Sequence, residues 1–216
     1  MPTHDSTLCY LVRHGATDNN EQKPPVLQGQ RLDVGLSDAG RDEADRAAGC
    51  LASRRVDAVY SSPLRRAVET AQAIADRHDL PVEVIDGLIE VDVGEWEGLD
   101  WNAIMRADPD AYEAFMTDAG ANPYLGGECL REVLDRTTPV LDGLLRDNLG
   151  RHVVVVAHNV VNRAYLTRLL GIPLAQYRSI PQDNCGLNVI RFRAGKASVM
   201  TINSVFHLAG RGALGG

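Results

Sequence analysis

Four consecutive valines, at positions 153–156, constrain the fold more than any other stretch of the sequence. The surrounding segment, RHVVVVAHN, is short and rich in a β-branched residue, which is typical of a β-strand. A strand that is apolar at consecutive positions must be covered on both of its faces, as the strands of parallel sheets are. The segment therefore predicts a central strand in a sheet that carries helices on both sides.

Predicted strands and helices alternate along the rest of the chain. Short apolar segments at 8–12, 56–62 and 81–85 predict strands, and amphipathic segments with helical spacing follow the first two of them. Ser37 is the predicted N-cap of the first helix, and Pro63 is expected in the first turn of the second. This alternation predicts an α/β fold of three layers, α/β/α, around a mostly parallel central sheet.

The segment 100–127 interrupts this pattern, because prolines and glycines break it into short helical pieces. We interpret it as a small helical insertion over one end of the sheet, where it would cap a site. Near the C-terminus, CGLNVIRF and KASVMTINS predict a strand hairpin that turns at Ala194 and Gly195. A chain of this length is expected to form a single domain over 1–216, with a disordered tail at about 209–216.

Composition and sequence patterns narrow the classes of ligand that the protein is expected to bind and the compartment in which it is expected. The chain has 22 Lys and Arg against 29 Asp and Glu, a formal net charge of −7, which argues against binding of nucleic acid. No signal-peptide pattern begins the chain and no apolar run approaches the roughly 18 residues of a membrane span. We therefore expect a cytoplasmic protein without a membrane partner, and a homodimer is one option for its assembly. The four widely spaced cysteines predict no metal site.

Two predicted strands end on a histidine, in LVRHG and in VVVVAHN. Ligands of open parallel sheets bind beyond the carboxyl ends of the strands, so His14 and His158 are expected to converge if these strands are neighbours. The other predicted strands would deliver charged side chains to the same edge, namely Arg65, Arg66, Glu90 and Glu97. The sequence therefore predicts an anion site with a nucleophile and a proton donor.

These residue types suit phosphoryl transfer. A neutral imidazole is a good nucleophile toward phosphorus, and guanidinium groups can bind phosphoryl oxygens in pairs of hydrogen bonds. A carboxylic acid can protonate the leaving alkoxide and then deprotonate the attacking water. No metal and no other cofactor is required for this chemistry, so the constellation points to a phosphohistidine route.

Seven motifs follow one another in a fixed order, spanning roughly residues 8–208: RHGATDNN, LQGQRLDVGLSDAGRDEA, SSPLRRAVETA, LIEVDVGEWEG, GGE, VVAHN and INSVFHL. In this order they resemble the histidine phosphatase superfamily, the family that includes the cofactor-dependent phosphoglycerate mutases. Each motif alone would be a weak signal, but the ordered set is highly specific.

The resemblance implies a role for each matching residue. His14 would be the phosphorylated nucleophile, Glu90 the proton donor, and the phosphate pocket would consist of Arg13, Arg66 and His158. Substrate-binding positions would be Asn20, Gln28 and Gly29, together with Asn159 and Trp101, where this sequence departs from the family pattern. Arg65 is expected at the surface, and Glu97 is the alternative proton donor.

The insertion bears on the choice between phosphatase and mutase. The mutases carry extra basic residues there, whereas the stretch 100–127 contains Arg106 as its one basic residue, and Trp101 stands where they have a lysine. An acidic and aromatic insertion favours a substrate that is apolar, aromatic or amine-bearing beyond its phosphate. The sequence therefore predicts a metal-independent phosphomonoester hydrolase acting on a small phosphorylated metabolite. The alternatives are a 2,3-bisphosphoglycerate-dependent phosphoglycerate mutase and a non-catalytic protein that binds phosphorylated ligands.

Overall fold

A computed structural model describes residues 5–209 of the chain. Its six strands are β1 (Ser6–Arg13), β2 (Ala58–Ser61), β3 (Val82–Val84), β4 (His152–Ala157), β5 (Leu187–Arg193) and β6 (Lys196–Ser204). They form one sheet in the order β3-β2-β4-β1-β5-β6. The first four strands in this order are parallel to one another, while β5 and β6 are antiparallel additions at one edge. The prediction of a mostly parallel sheet is confirmed.

Seven α-helices connect or flank these strands in residues 5–209. They are α1 (Asp18–Glu21), α2 (Asp38–Leu51), α3 (Arg65–Ala75), α4 (Trp101–Ala107), α5 (Pro109–Thr117), α6 (Leu130–Asp147) and α7 (Asn159–Leu170). No helix in this described range is long and apolar enough to cross a membrane.

The valine strand β4 lies between β2 and β1 and divides the core into two layers. Val154 and Val156 pack with the apolar residues of α2 and α3 on one face of the sheet. Val153 and Val155 belong to the cluster that α6 and α7 build on the other face. Because side chains alternate along a strand, consecutive valines are needed when both faces are covered. The predicted central strand and the three layers are confirmed.

The insertion consists of α4 and α5 and packs on an aromatic cluster. Trp96 is fully buried, and its ring makes edge contacts with Trp101, Phe115 and Tyr124 at centroid distances of 6.2, 5.6 and 5.9 Å. Its indole Nε1 donates a hydrogen bond to Asp108 between the two helices. Aromatic packing therefore holds the insertion over the carboxyl end of the sheet, as predicted.

Local expectations at turns and caps are largely confirmed. Ser37 caps α2, since its hydroxyl accepts a hydrogen bond from the backbone N–H of Gly40 at 3.1 Å. The hairpin turns at Ala194 and Gly195, whose φ angles of 50° and 76° suit a two-residue turn. Pro63 was expected inside α3 but precedes it, because Leu64 keeps an extended backbone and is itself the N-cap. The predicted disordered tail lies, from residue 210 onward, outside the described residues.

The first turn of α2 packs directly on the loop that follows β1. A Cβ atom on Gly40 would overlap the carbonyl oxygen of Ala16, so only glycine permits this approach. That carbonyl also accepts hydrogen bonds from the backbone N–H and the hydroxyl of Ser37, at 3.0 and 3.3 Å. The loop after β1 is therefore positioned by backbone contact with a helix.

We expect Gly40→Ala to lower the free energy of unfolding by about 1–3 kcal/mol, because the added methyl group must displace the loop. Gly49→Ala on the same helix is the control, since a Cβ there meets nothing within 4 Å and alanine favours helix by roughly 0.5–1 kcal/mol. Urea unfolding of the three proteins measures both effects. Equal stability of the Gly40 variant and the wild type would contradict the proposed close contact.

Candidate active site

The pairing of β1 with β4 brings the two strand-end histidines together. Arg13 lies opposite Ala157 in the parallel register, so the next residues of both strands, His14 and His158, leave the sheet side by side. Their ring centroids are 5.1 Å apart. His14 is 4% exposed and His158 is fully buried, so the pair lies at the floor of a cleft.

The hydrogen bonding of His14 determines which ring nitrogen is free. Its Nδ1 lies 2.7 Å from the carbonyl oxygen of Gly15. Because a carbonyl only accepts, Nδ1 carries the proton, and Nε2 keeps its lone pair. The loop is held in turn by the hydroxyl of Thr70, which accepts from the backbone N–H of Gly15 at 3.0 Å. His14 is therefore held in the tautomer that a nucleophile at Nε2 requires.

Both histidines are held in their neutral form. Burial lowers the pKa of His14 well below its usual value, and the nearby charges of Arg66 and Arg13 lower it further. The pKa of His158 is lowered in the same way, first by burial and then by Arg66. Neutral rings at ordinary pH leave the lone pair of His14 available for bond formation.

Two arginines stand beside these rings and are tethered by backbone carbonyls. Arg13 donates from Nη1 to the carbonyl of Gln182 at 2.6 Å, and burial lowers its pKa to about 10, so it remains charged at neutral pH. Arg66, which is fully buried, donates from Nη2 to Gly29 at 2.8 Å and from Nη1 to Leu32 at 3.2 Å. Both guanidinium groups are thus fixed in position without a neutralising ion pair in residues 5–209.

Three buried nitrogens of this group have no hydrogen-bond partner among residues 5–209: Arg13 Nε, Arg66 Nε and His158 Nδ1. The other ring nitrogen of His158 lies 2.6 Å from the hydroxyl of Ser62. Leaving a buried donor unpaired costs about 1–3 kcal/mol, more for a charged group. Three such atoms on residues close to His14 favour a site that receives an anion.

Glu90 supplies the carboxyl group of the site. It is 4% exposed, and its oxygens accept from the backbone N–H groups of Val91 at 2.9 Å and Val160 at 3.3 Å, the latter in the first turn of α7. Burial raises the pKa of Glu90 above its usual value, and these hydrogen bonds and the arginines only partly oppose that effect. A raised pKa increases the fraction of the protonated form, which is the form a general acid requires.

The backbone of Glu90 is clamped by an ion pair that the sequence reading did not identify. Arg136 on α6 donates to the carbonyls of Ile89 and Glu90, both at 2.9 Å, and pairs with Glu128 at 2.7 Å. Glu128 also accepts from the backbone N–H of Asp92 at 2.8 Å. The motif GGE therefore contributes a support for the loop that carries the carboxyl group.

A cavity of about 370 Å³ opens above His14. Of the predicted substrate-binding residues, it is lined by Asn20, Gln28, Asn159 and Trp101. This volume lies in the range of pockets for small molecules. The cavity joins the anion site to the underside of the insertion, so a ligand can reach both.

A family model for the histidine phosphatase superfamily (branch 1) matches residues 9–205. The chain belongs to this superfamily. The matched region contains every predicted site residue, and the recognition made from the ordered motifs is confirmed.

Individual relatives and structures agree with this membership. Phosphoserine phosphatase 1 of Hydrogenobacter thermophilus is 33% identical over 199 residues, which cover 92% of this chain and 92% of that protein. Glucosyl-3-phosphoglycerate phosphatase of Mycolicibacterium vanbaalenii is 38% identical over 171 residues, covering 76% of this chain and 74% of that protein. The crystal structure of Entamoeba histolytica phosphoserine phosphatase with 3-phosphoglyceric acid superposes with a TM-score of 0.84 at 29% identity, covering 94% and 99% of the two chains. This histidine phosphatase is a phosphomonoester hydrolase.

Some predicted residues lie behind the cavity of this histidine phosphatase rather than on its wall. Gly29, expected at the mouth, contacts Arg66 through its carbonyl and donates its N–H to Glu97 at 2.7 Å. Glu97 also accepts from the backbone N–H of Leu32, so it organises a loop and is not among the residues that line the cavity. Arg65 is exposed and pairs with Glu69, as expected for a surface residue.

The cavity wall is less acidic than the composition of the insertion suggested, although Trp101 and Tyr124 of the insertion line it. The carboxylates of the insertion do not line the cavity: Asp100 caps α4, and Asp108 accepts from Trp96. Instead, Arg163 and Arg178 from outside the insertion line it, with Tyr177 and Asn184. Arg163 follows Asn159 by one helical turn, a spacing that predicts a shared face. No comparable spacing in the sequence marks Arg178 as a residue of the cavity.

The site contains no candidate metal cluster in the part of the chain that the structure describes. No group of three or more His, Cys, Asp or Glu side chains is arranged to hold a metal ion in residues 5–209. The charges that act most strongly on His14 are those of Arg66 and Arg13, and such groups suit an anion.

We expect the free energy of unfolding to fall as the pH is lowered below about 6.5, because the unfolded chain then binds protons that folded His14 and His158 resist. Each such group contributes up to about 1.4 kcal/mol per pH unit, present above the unfolded pKa and lost as the pH falls towards the folded one. Urea unfolding between pH 7.5 and 5 measures this slope.

His158→Gln should reduce that slope by up to about 1.4 kcal/mol per pH unit, the contribution of one titrating group. The control His78→Gln removes a histidine that is remote from the site. If the slope of His158→Gln equals that of the wild type, then His158 does not resist protonation in the folded state.

Proposed function

We propose that this phosphatase hydrolyses a small phosphorylated metabolite through a phosphohistidine at His14, without a metal ion. The observation that carries the proposal is the hydrogen bond from His14 Nδ1 to the carbonyl of Gly15, which leaves Nε2 unprotonated in a cleft lined with arginines. A neutral nucleophile and an anionic electrophile are thereby brought together without repulsion. Names of relatives support the substrate class, since phosphoserine and glucosyl-3-phosphoglycerate are small phosphomonoesters.

In the first step, Nε2 of His14 forms a bond to phosphorus while the ester P–O bond breaks. The leaving oxygen takes its proton from Glu90, whose raised pKa keeps the acid form accessible. Positive charge developing on the ring of His14 is matched by the hydrogen bond from Nδ1 to Gly15. The alcohol leaves and a phosphohistidine remains.

In the second step, a water attacks the phosphorus of the phosphohistidine. Glu90, now ionised, takes the proton of that water, and the N–P bond breaks to release inorganic phosphate. Arg13, Arg66 and His158 hold the phosphoryl oxygens in both steps. Each of the three has a buried nitrogen without a hydrogen-bond partner in residues 5–209, which supports this role. Both partners, His14 and Glu90, return to their starting protonation states.

We expect His14→Ala to lose turnover on the order of 10⁴-fold or more, because the first bond cannot form. Rapid quenching with ³²P-labelled substrate in excess EDTA, analysed at alkaline pH, should show protein-bound phosphate in the wild type and none in the variant. His78→Gln is the control and should be labelled normally. Labelling of His14→Ala, or loss of activity in EDTA that added metal restores, would contradict the proposal.

Glu90→Gln should slow substrates with poor leaving groups far more than p-nitrophenyl phosphate, because only an alkoxide needs a proton as it leaves. We expect a loss of about 10²-fold or more in kcat/KM for an alkyl phosphate and less than about tenfold for p-nitrophenyl phosphate. Glu97→Gln is the matched control: its carboxylate binds backbone, so both substrates should lose equally. Equal losses for Glu90→Gln would argue against a proton-donor role.

A phosphoglycerate mutase is the second candidate, because Arg163 and Arg178 add positive charge to the cavity and a bisphosphorylated ligand is strongly anionic. Incubation of 3-phosphoglycerate with 2,3-bisphosphoglycerate distinguishes the two: a mutase forms 2-phosphoglycerate, and the proposed phosphatase releases inorganic phosphate. A non-catalytic binding protein would do neither and would leave His14 unlabelled.

A further inference from the structure

Arg163 and Arg178 line the same cavity as His14, and the proposed hydrolysis uses neither of them. Arg163 lies on α7 and is half-buried, whereas Arg178 lies on the 3₁₀ segment Leu174–Ser179 and is exposed. His14 is 4% exposed. The two arginines therefore lie between the floor of the cavity and its mouth, where the non-phosphate part of a substrate would extend.

Neither guanidinium group forms an ion pair with another side chain of residues 5–209. No carboxylate in residues 5–209 lies within 4.0 Å of Arg163 or Arg178. The residues that line the cavity include three arginines but only one carboxylate, Glu90. In a chain with a net charge of −7, this local excess of positive charge attracts a ligand with more than one anionic group.

Among residues 5–209, the contacts of both arginines leave some of their N–H groups without a hydrogen-bond partner. Arg163 donates from Nε to the carbonyl of Ile180 at 2.8 Å, which anchors the side chain and leaves its two terminal nitrogens available. Arg178 packs over aromatic rings, with its guanidinium carbon 5.1, 5.3 and 5.5 Å from the centroids of Tyr177, Phe115 and Trp101. Such packing holds a guanidinium plane while its N–H edge remains open.

We propose that the substrate carries a carboxylate on its non-phosphate part and that Arg163 and Arg178 bind that carboxylate. This inference rests on the proposed function, which places the phosphate against His14, Arg13 and Arg66. The terminal edge of a guanidinium group matches the two oxygens of a planar carboxylate in a bidentate arrangement. The substrate class is then a small phosphorylated hydroxy acid or amino acid. The carboxylate is a feature that the insertion alone, which suggested an apolar, aromatic or amine-bearing substrate, did not indicate.

Pairs of phosphomonoesters that differ in one carboxylate test the proposal. O-phosphoserine is compared with O-phosphoethanolamine, and 3-phosphoglycerate with glycerol 3-phosphate, by kcat/KM for phosphate release. We expect the wild type to favour the carboxylate member of each pair by about tenfold or more. Arg178→Gln, at an exposed position that tolerates the change, should lower this preference about tenfold, and Arg163→Gln should lower it at least as much.

Arg106→Gln is the matched control, because Arg106 is an exposed arginine of the insertion that does not line the cavity. Its preference should equal that of the wild type. A wild type that does not favour the carboxylate members overturns the proposal. So does an arginine variant that loses equally on both members of a pair.

Two further measurements separate this inference from the function on which it rests. If His14 is labelled but no carboxylate preference exists, the inference fails and the hydrolysis stands. If no substrate is turned over, calorimetric binding of 3-phosphoglycerate and glycerol 3-phosphate to the wild type and Arg178→Gln gives the same comparison.

Binding of propane-1,3-diol bisphosphate tests whether the second anion is a phosphate instead of a carboxylate. If this compound binds more strongly than 3-phosphoglycerate, and if that binding depends on Arg178, then the second anion is a phosphate and the proposal is overturned.

Discussion

The parallel pairing of β1 with β4 is the constraint on which the site depends. Arg13 opposite Ala157 places His14 beside His158, and a shift of one residue would send one ring to the opposite face of the sheet. The valines of β4 maintain this register, because helices cover them on both faces. The geometry of the nucleophile therefore follows from the packing of an apolar strand, which is more rigid than a loop on the surface.

Burial of charge at the floor of the cleft requires a polar scaffold around it. Arg13 is tethered to the carbonyl of Gln182, whose side chain shares hydrogen bonds with Asn162 and Asn188 in the core. Arg136, which pairs with Glu128, similarly holds the backbone carbonyl of Glu90 in place. Each partner satisfies groups that would otherwise be costly to bury. Arg13 Nε, Arg66 Nε and His158 Nδ1 are among the buried polar atoms of residues 5–209 that keep no hydrogen-bond partner.

The cavity divides the work between two sets of residues. The strand ends and the start of α7 hold the groups that we propose to act on phosphorus, and these residues lie within the region that matches the histidine phosphatase superfamily. The wall between the insertion and the segment Leu174–Ser179 brings together Trp101, Arg163 and Arg178. We propose that these side chains contact the part of the substrate that lies beyond its phosphate. On this proposal, chemistry and specificity come from parts of the chain with different packing, so substrate preference can change while the reaction stays the same.

The sequence by itself determined the layers of the fold, the central valine strand and the residues that meet at the strand ends, because periodicity and ordered motifs are local properties of the chain. It also favoured Glu90 over Glu97 as the proton donor, and the structure gives these two carboxylates different hydrogen-bond partners. Only the tertiary structure decided the charge of the cavity wall. Asp100 caps α4, and Asp108 accepts a hydrogen bond from the indole of Trp96, while Arg163 and Arg178 line the cavity. The direction in which a side chain points depends on how elements distant in sequence pack together, and composition alone does not contain that information.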